Sequence, residues 1–87
     1  MKLEDIKKQK FSKKEQREFD RQTLVGDLIG DIRIGLGFTQ EKLAKKCGMK
    51  QPAIARIESY SQLPSLTTLF NIADKCGYRL KISIEKK

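Results

Sequence analysis

The chain has 87 residues, with 19 Lys and Arg against 11 Asp and Glu, no His and two Cys. That length holds one domain and not two, and the absence of His excludes His-based catalysis and His-ligated metal. A net charge of +8 on a chain only 38% apolar implies a small core and an acidic partner, either nucleic acid or an anionic membrane surface.

The composition shifts near residue 22. Residues 1–22 carry eight basic and five acidic side chains, with Leu3, Ile6, Phe11 and Phe19 as the sizeable apolar groups after Met1. Such a stretch builds no core of its own. Ser12-Lys13-Lys14-Glu15 has the form of a capping box, so a short helix is expected over 12–21, able to run on into the next.

From Leu24 the spacing of Leu24, Val25, Leu28, Ile29, Ile32 and Leu36 predicts one apolar helix face. Gly26 and Gly30 weaken that helix but allow a neighbour to approach closely, and Gly35 and Gly37 end it. Thr39 is an N-cap for a second helix over 40–47, with Leu43, Ala44 and Cys47 inward and Lys42, Lys45 and Lys46 outward. After Gly48, a third helix is expected over 51–59, with Pro52 in its first turn and Ile54 and Ile57 inward. A polar loop over 60–64 leads to Ser65, the cap of a fourth helix through Cys76 whose apolar residues are Leu66, Leu69, Phe70, Ile72, Ala73 and Cys76. Beyond Gly77 the period becomes two: Tyr78, Leu80, Ile82 and Ile84 alternate with Arg79, Lys81, Ser83 and Glu85. This predicts a strand. As the lone strand of the chain it needs a partner for its ladder, which is expected to be the same strand of a second copy, the alternatives being the sheet of a toxin or a weak fold back on the chain.

Cys47 and Cys76 are too few for a four-Cys zinc site, and their spacing fits no redox motif. They read as small buried thiols in a reducing compartment. No apolar run reaches membrane-spanning length and no signal peptide follows Met1, so a cytoplasmic protein without a membrane partner is expected. There is no phosphate loop and no nucleophile–base pair. Asp27 and Asp31 read as a solvated helix face, and no enzyme activity, metal or cofactor is expected.

Two short helices joined by a tight turn containing Gly48 form a helix-turn-helix pattern, whose second helix fits the major groove. At its start, Gln51 can pair with adenine and Arg56 with guanine, and Pro52 and Ala53 can touch thymine methyl groups. Lys50 at the turn is a phosphate contact; Lys45 and Lys46 are either phosphate contacts or a solvated face. Arg56 has an alternative use as the partner of Glu58 or Asp74.

The run from Thr39 to Gly48, followed by Gln51-Pro52-Ala53-Ile54-Ala55-Arg56-Ile57-Glu58 and by Pro64-Ser65-Leu66-Thr67-Thr68-Leu69, closely resembles the Cro/C1-type helix-turn-helix family. The likeness covers residues 24–77. It implies a mainly α bundle of four to five helices, here with one C-terminal β-strand paired across a homodimer. Within that family the layout looks most like HigA-type antitoxins of type II toxin–antitoxin modules, because of the charged N-terminal extension and the C-terminal strand; HipB-type antitoxins are close relatives. The resemblance implies that Thr39, Gln40, Lys50, Gln51, Pro52, Ala53 and Arg56 form the DNA site, with Gln40 on a phosphate and Glu58 a structural acid. Lys50 departs from the Ser or Thr common at its position, so it offers no capping oxygen.

The organisation expected is therefore a 1–22 extension, a 23–77 DNA-binding domain and a 78–87 dimerisation strand. In the antitoxin reading Phe11 and Phe19, with Leu3 and Ile6, dock on a RelE-like toxin (the alternative for this extension being a disordered, solubilising tail), Tyr78, Leu80, Ile82 and Ile84 pair the dimer, and a palindromic operator is bound. Toxins of such modules are usually basic, so charge would not steer one towards this chain and apolar docking must dominate. Two other readings stand beside this one: a free-standing phage- or plasmid-type repressor, and a protein-interaction module with a vestigial motif.

Overall fold

The computed structural model describes the backbone of residues 13–87 and the side chains of residues 20–87. Four helices follow one another: α1 (Lys13–Gly35), α2 (Gln40–Lys46), α3 (Gln51–Glu58) and α4 (Leu66–Lys75). The short helix expected over 12–21 and the helix expected from Leu24 are one continuous element. No Gly or Pro stands between residues 13 and 25 to interrupt it. Phe11 and the proposed cap Ser12 lie outside the described residues, as do the side chains of Glu15 and Phe19.

Local chemistry sets the helix starts. Thr39 Oγ1 accepts the Lys42 N–H at 3.1 Å, and Ser65 Oγ accepts the Thr68 N–H at 3.2 Å. Lys50 caps α3 with backbone alone, Pro52 following in the first turn.

The helix ends share one geometry. At α2 the Gly48 N–H reaches the Lys45 carbonyl (3.2 Å) and the Met49 N–H reaches the Ala44 carbonyl (2.8 Å), the two bonds of a Schellman end. Gly48 takes the left-handed position at φ +68°. The same paired bonds close α1 at Gly37 and α4 at Gly77. At α3 the left-handed residue is Tyr60, φ +67°, with Tyr60 N–H on Ile57 O and Ser61 N–H on Arg56 O.

Ile29, Leu43, Ala44, Cys47, Ile54, Ile57, Ile72 and Cys76 form the core, flanked by Val25, Ile32, Leu36, Phe38, Met49 and Leu69. Helix α3 packs on both α2 and α1. Leu24 and Leu28, expected on the buried face, are exposed, as are Leu66 and Phe70. Three short helices and one longer one cannot surround one another, so apolar residues at the edge of the stripes stay in water. Asn71 Nδ2 donates to the Cys47 carbonyl at 2.9 Å, tying α4 to the end of α2.

Both cysteines are buried free thiols. Burial first, then the neighbouring Cys76, pushes the Cys47 thiol up to about 11. It therefore remains protonated and unreactive at neutral pH.

Residues 78–87 have no regular secondary structure, and there is no strand among the described residues. The strand expected at Tyr78, Leu80, Ile82 and Ile84 is absent from the single chain because a ladder needs a second strand to bond to. Tyr78, Arg79 and Leu80 instead line an apolar hollow of about 200 Å³ together with Leu28, Ile29, Ile32, Leu69 and Ala73. Among the described residues no helix is long and apolar enough to cross a membrane.

Candidate nucleic-acid interface

Helices α2 and α3, with the Gly48 turn between them, place the start of α3 next to the start of α2. The contact is a hydrogen bond from Gln51 Nε2 to Gln40 Oε1 at 2.9 Å. Gln40 Nε2 in turn donates to Glu58 Oε1 at 3.4 Å. The Glu58 carboxylate is held by Arg33, whose Nε lies 2.8 Å from Oε2 and whose Nη2 lies 3.0 Å from Oε1. Arg33 Nη1 completes the series on the Phe38 carbonyl at 2.9 Å.

This line of polar contacts runs from α1 through the end and the beginning of the helix-turn-helix to an exposed glutamine. Arg33 and Glu58 are largely covered, at 20% and 11% side-chain exposure, which makes their pair a two-bond, charge-assisted anchor. The hydrogen bonds to Glu58 raise the already high pKa of Arg33, against a smaller opposing effect of burial. Arg33 and its role were missed in the sequence, where a lone Arg on an apolar helix has no marked partner. Glu58 fills the structural role expected of it.

The geometry leaves Gln51 able to read a base. One Nε2 hydrogen is used on Gln40; the residue is exposed, leaving the other hydrogen and Oε1 for a base. Bidentate pairing with adenine needs one donor and one acceptor from a single amide. Pro52 and Arg56 are exposed on the same helix and Ala53 is half-buried. Glu58 is committed to Arg33, which removes it as the partner considered for Arg56. The Arg56 carbonyl is occupied by Ser61 and Gln62 amides, so its backbone is fixed while its guanidinium is exposed.

Lysines border this edge. Lys45 and Lys50, with Glu41, Ala44, Met49 and Gln51, line a shallow open depression between α2 and α3. Lys42 points outward as expected, but its Nζ sits 4.7 Å from the centroid of the Phe38 ring, a cation–π contact. Of the other expected site residues, Thr39 is engaged as the α2 cap. Phe11 is outside the described residues, and of Phe19 only the backbone, within α1, is described.

Across the edge of the motif, α1 crosses α3 at Gly26. A Cβ there would fall 2.6 Å from the Ile57 carbonyl oxygen and 2.5 Å from the Tyr60 ring. The Tyr60 hydroxyl donates to Asp27, and that bond raises the Tyr60 pKa, with burial adding to it. Tyr60 thereby locks the end of α3 onto α1.

The chain is similar to known proteins. The family model described as Helix-turn-helix, HTH_3, matches residues 29–82. A protein of Haemophilus influenzae described as an uncharacterized HTH-type transcriptional regulator is 38% identical over 79 residues, covering 90% of this chain and 80% of that relative. Among solved structures, a chain titled Toxin-Antitoxin module from Streptococcus pneumoniae superposes with a TM-score of 0.64 at 28% identity, over 99% of this chain and 94% of that one. The chain belongs to the helix-turn-helix family of DNA-binding transcriptional regulators.

Proposed function

We propose that this chain is a sequence-specific repressor that also serves as the antitoxin of a type II module of the HigA type. As a homodimer it binds a palindromic operator upstream of its own operon, with α3 in the major groove, and it neutralises a RelE-like, mRNA-cleaving toxin. It works in the cytoplasm by binding, without catalysis or cofactor. The observation that carries the DNA reading is the Arg33–Glu58–Gln40–Gln51 series, which holds an exposed amide at the start of α3 with its pairing groups unspent. The toxin part rests on the likeness to the Streptococcus pneumoniae module and on the charged extension. The C-terminal alternation supports the dimer: Ile82 and Ile84 are exposed in the single chain, as residues awaiting a second strand would be.

The test is a gel shift at fixed salt on the DNA upstream of the operon and on its single-base variants. Gln51→Ala is expected to cost about 1–3 kcal/mol and to relax preference at one operator position. Lys50→Ala is expected to weaken all sequences alike and to lower the salt slope by about one unit. Identical base preferences for Gln51→Ala and the parent chain would refute the recognition role. Loss of toxin protection on deleting residues 1–20, with operator binding kept, separates an antitoxin from a free-standing repressor.

A further inference from the structure

Among the described residues, helix α1 has a largely exposed face, bordered where Leu28 meets the C-terminal hollow and where Asp27 meets Tyr60. Gly26, Gly30 and Arg33 mark the side turned to α3. At 3.6 residues per turn, positions 24, 27, 28, 31 and 34 fall within about a third of the circumference on the other side. Leu24 is 70% exposed and Ile34 67%, with Leu28 also exposed; Asp27 and Asp31, both exposed, stand between them. No Lys or Arg occurs from residue 22 to residue 32. On a chain of net charge +8, this stripe combines carboxylates with large apolar side chains and no cation.

Its chemistry narrows the partner. Carboxylates repel nucleic acid and anionic lipid. A second copy related by two-fold symmetry would set the stripe against itself, bringing four aspartates together with no cation among the stripe residues to offset them, which disfavours self-pairing. The overall +8 does not forbid a basic partner, because at physiological salt charges interact over only about 8 Å and the local carboxylates decide. What fits is a protein surface with apolar side chains set among lysines and arginines.

We infer that the outward stripe of α1, centred on Leu24, Leu28 and Asp31, is a docking surface for a cationic partner protein, and that the toxin of the proposed module, held also by residues 1–20, seats there. Naming the toxin rests on the antitoxin reading; the chemistry of the stripe does not. Among the described residues the stripe meets α3 only beyond its end, at Tyr60 through Asp27, whereas Gln51 stands at its start; partner and operator therefore use opposite ends of α3, and one chain holds both.

The experiment uses the full chain and the double variant Leu24→Ser/Asp31→Asn, both at exposed positions; Asp27 is left intact because it holds Tyr60. Titration calorimetry against the product of the neighbouring reading frame, expected to be basic, should show about tenfold weaker binding for the variant, with operator affinity unchanged. Equal binding of that protein by variant and parent would overturn the stripe while leaving the antitoxin reading intact. If the neighbouring protein does not bind the parent at all, the antitoxin reading falls, and a synthetic amphipathic Leu/Lys helical peptide becomes the probe. Amide shifts clustered at Leu24, Leu28 and Asp31 of the labelled chain then uphold the stripe; shifts elsewhere, or none, overturn it. Conversion of a dimeric parent into a monomeric variant on sedimentation would also overturn it, by showing the face to be a contact between copies.

Discussion

At the scale of single residues, the recognition edge depends on a carboxylate that DNA need never touch. Glu58 accepts from Arg33 and from Gln40, and Gln40 accepts from Gln51. Removing the carboxylate strands a mostly covered guanidinium and frees the Gln40 amide. Glu58→Ala is therefore expected to cost about 2 kcal/mol of stability, less than the 3–5 kcal/mol of a fully buried pair. It should also blur base preference at the position read by Gln51, as checked by denaturant unfolding together with operator-variant binding. Glu58→Gln keeps an acceptor oxygen and should recover part of both losses. Gln40 and Gln51 stand out as candidate DNA-site residues from their positions in the motif. Their bond to each other does not, because residues eleven apart meet only once the turn at Gly48 folds α3 back against α2.

At the scale of elements, four helix ends use one hydrogen-bonding scheme, but only three of them have glycine in the left-handed position. Those three stops, at Gly37, Gly48 and Gly77, were readable because glycine alone adopts that conformation without strain. Tyr60 was read as polar loop, since its conformation is stabilised from a distance, by the ring lying over Gly26 and the hydroxyl on Asp27. The two glycines of α1 accordingly differ. Gly26→Ala forces a methyl into the Ile57 carbonyl and the Tyr60 ring, and the overpacking is expected to destabilise by about 1–3 kcal/mol. At Gly30 the nearest atom to an added methyl is a Glu58 oxygen at 3.7 Å, an ordinary contact. Gly30→Ala should thus gain up to about 1 kcal/mol from helix propensity. Chemical denaturation of both variants gives opposite signs if the crossing is as described.

At the scale of the whole molecule, the short helices enclose a core too small to cover every apolar side chain. The C-terminal residues show this most. Tyr78 completes the end of α4 through its amide on Ala73, and Leu80 lines the hollow against α1, whereas Ile82 and Ile84 contribute to neither. Truncation after Leu80 should therefore leave the fold intact and test pairing alone. In the dimer proposed above it yields a monomer by sedimentation, and operator affinity falls by about a hundredfold or more as the two half-sites lose their linkage. A truncated protein that stays dimeric would move the dimer contact elsewhere.

Helix identity, the Thr39 and Ser65 caps, three of the four helix ends and the helix-turn-helix itself follow from interactions within a few residues, so the linear order of side chains specifies them. The Arg33 anchor for Glu58, the closure of Tyr60 on Gly26 and the exposure of Leu24 and Leu28 depend on which helix crosses which, and at what distance. Those choices come from packing between segments far apart in the chain, where local propensity carries no information. The alternating tail belongs with them: its period is written in the residues, but a strand exists only where another backbone supplies the bonds.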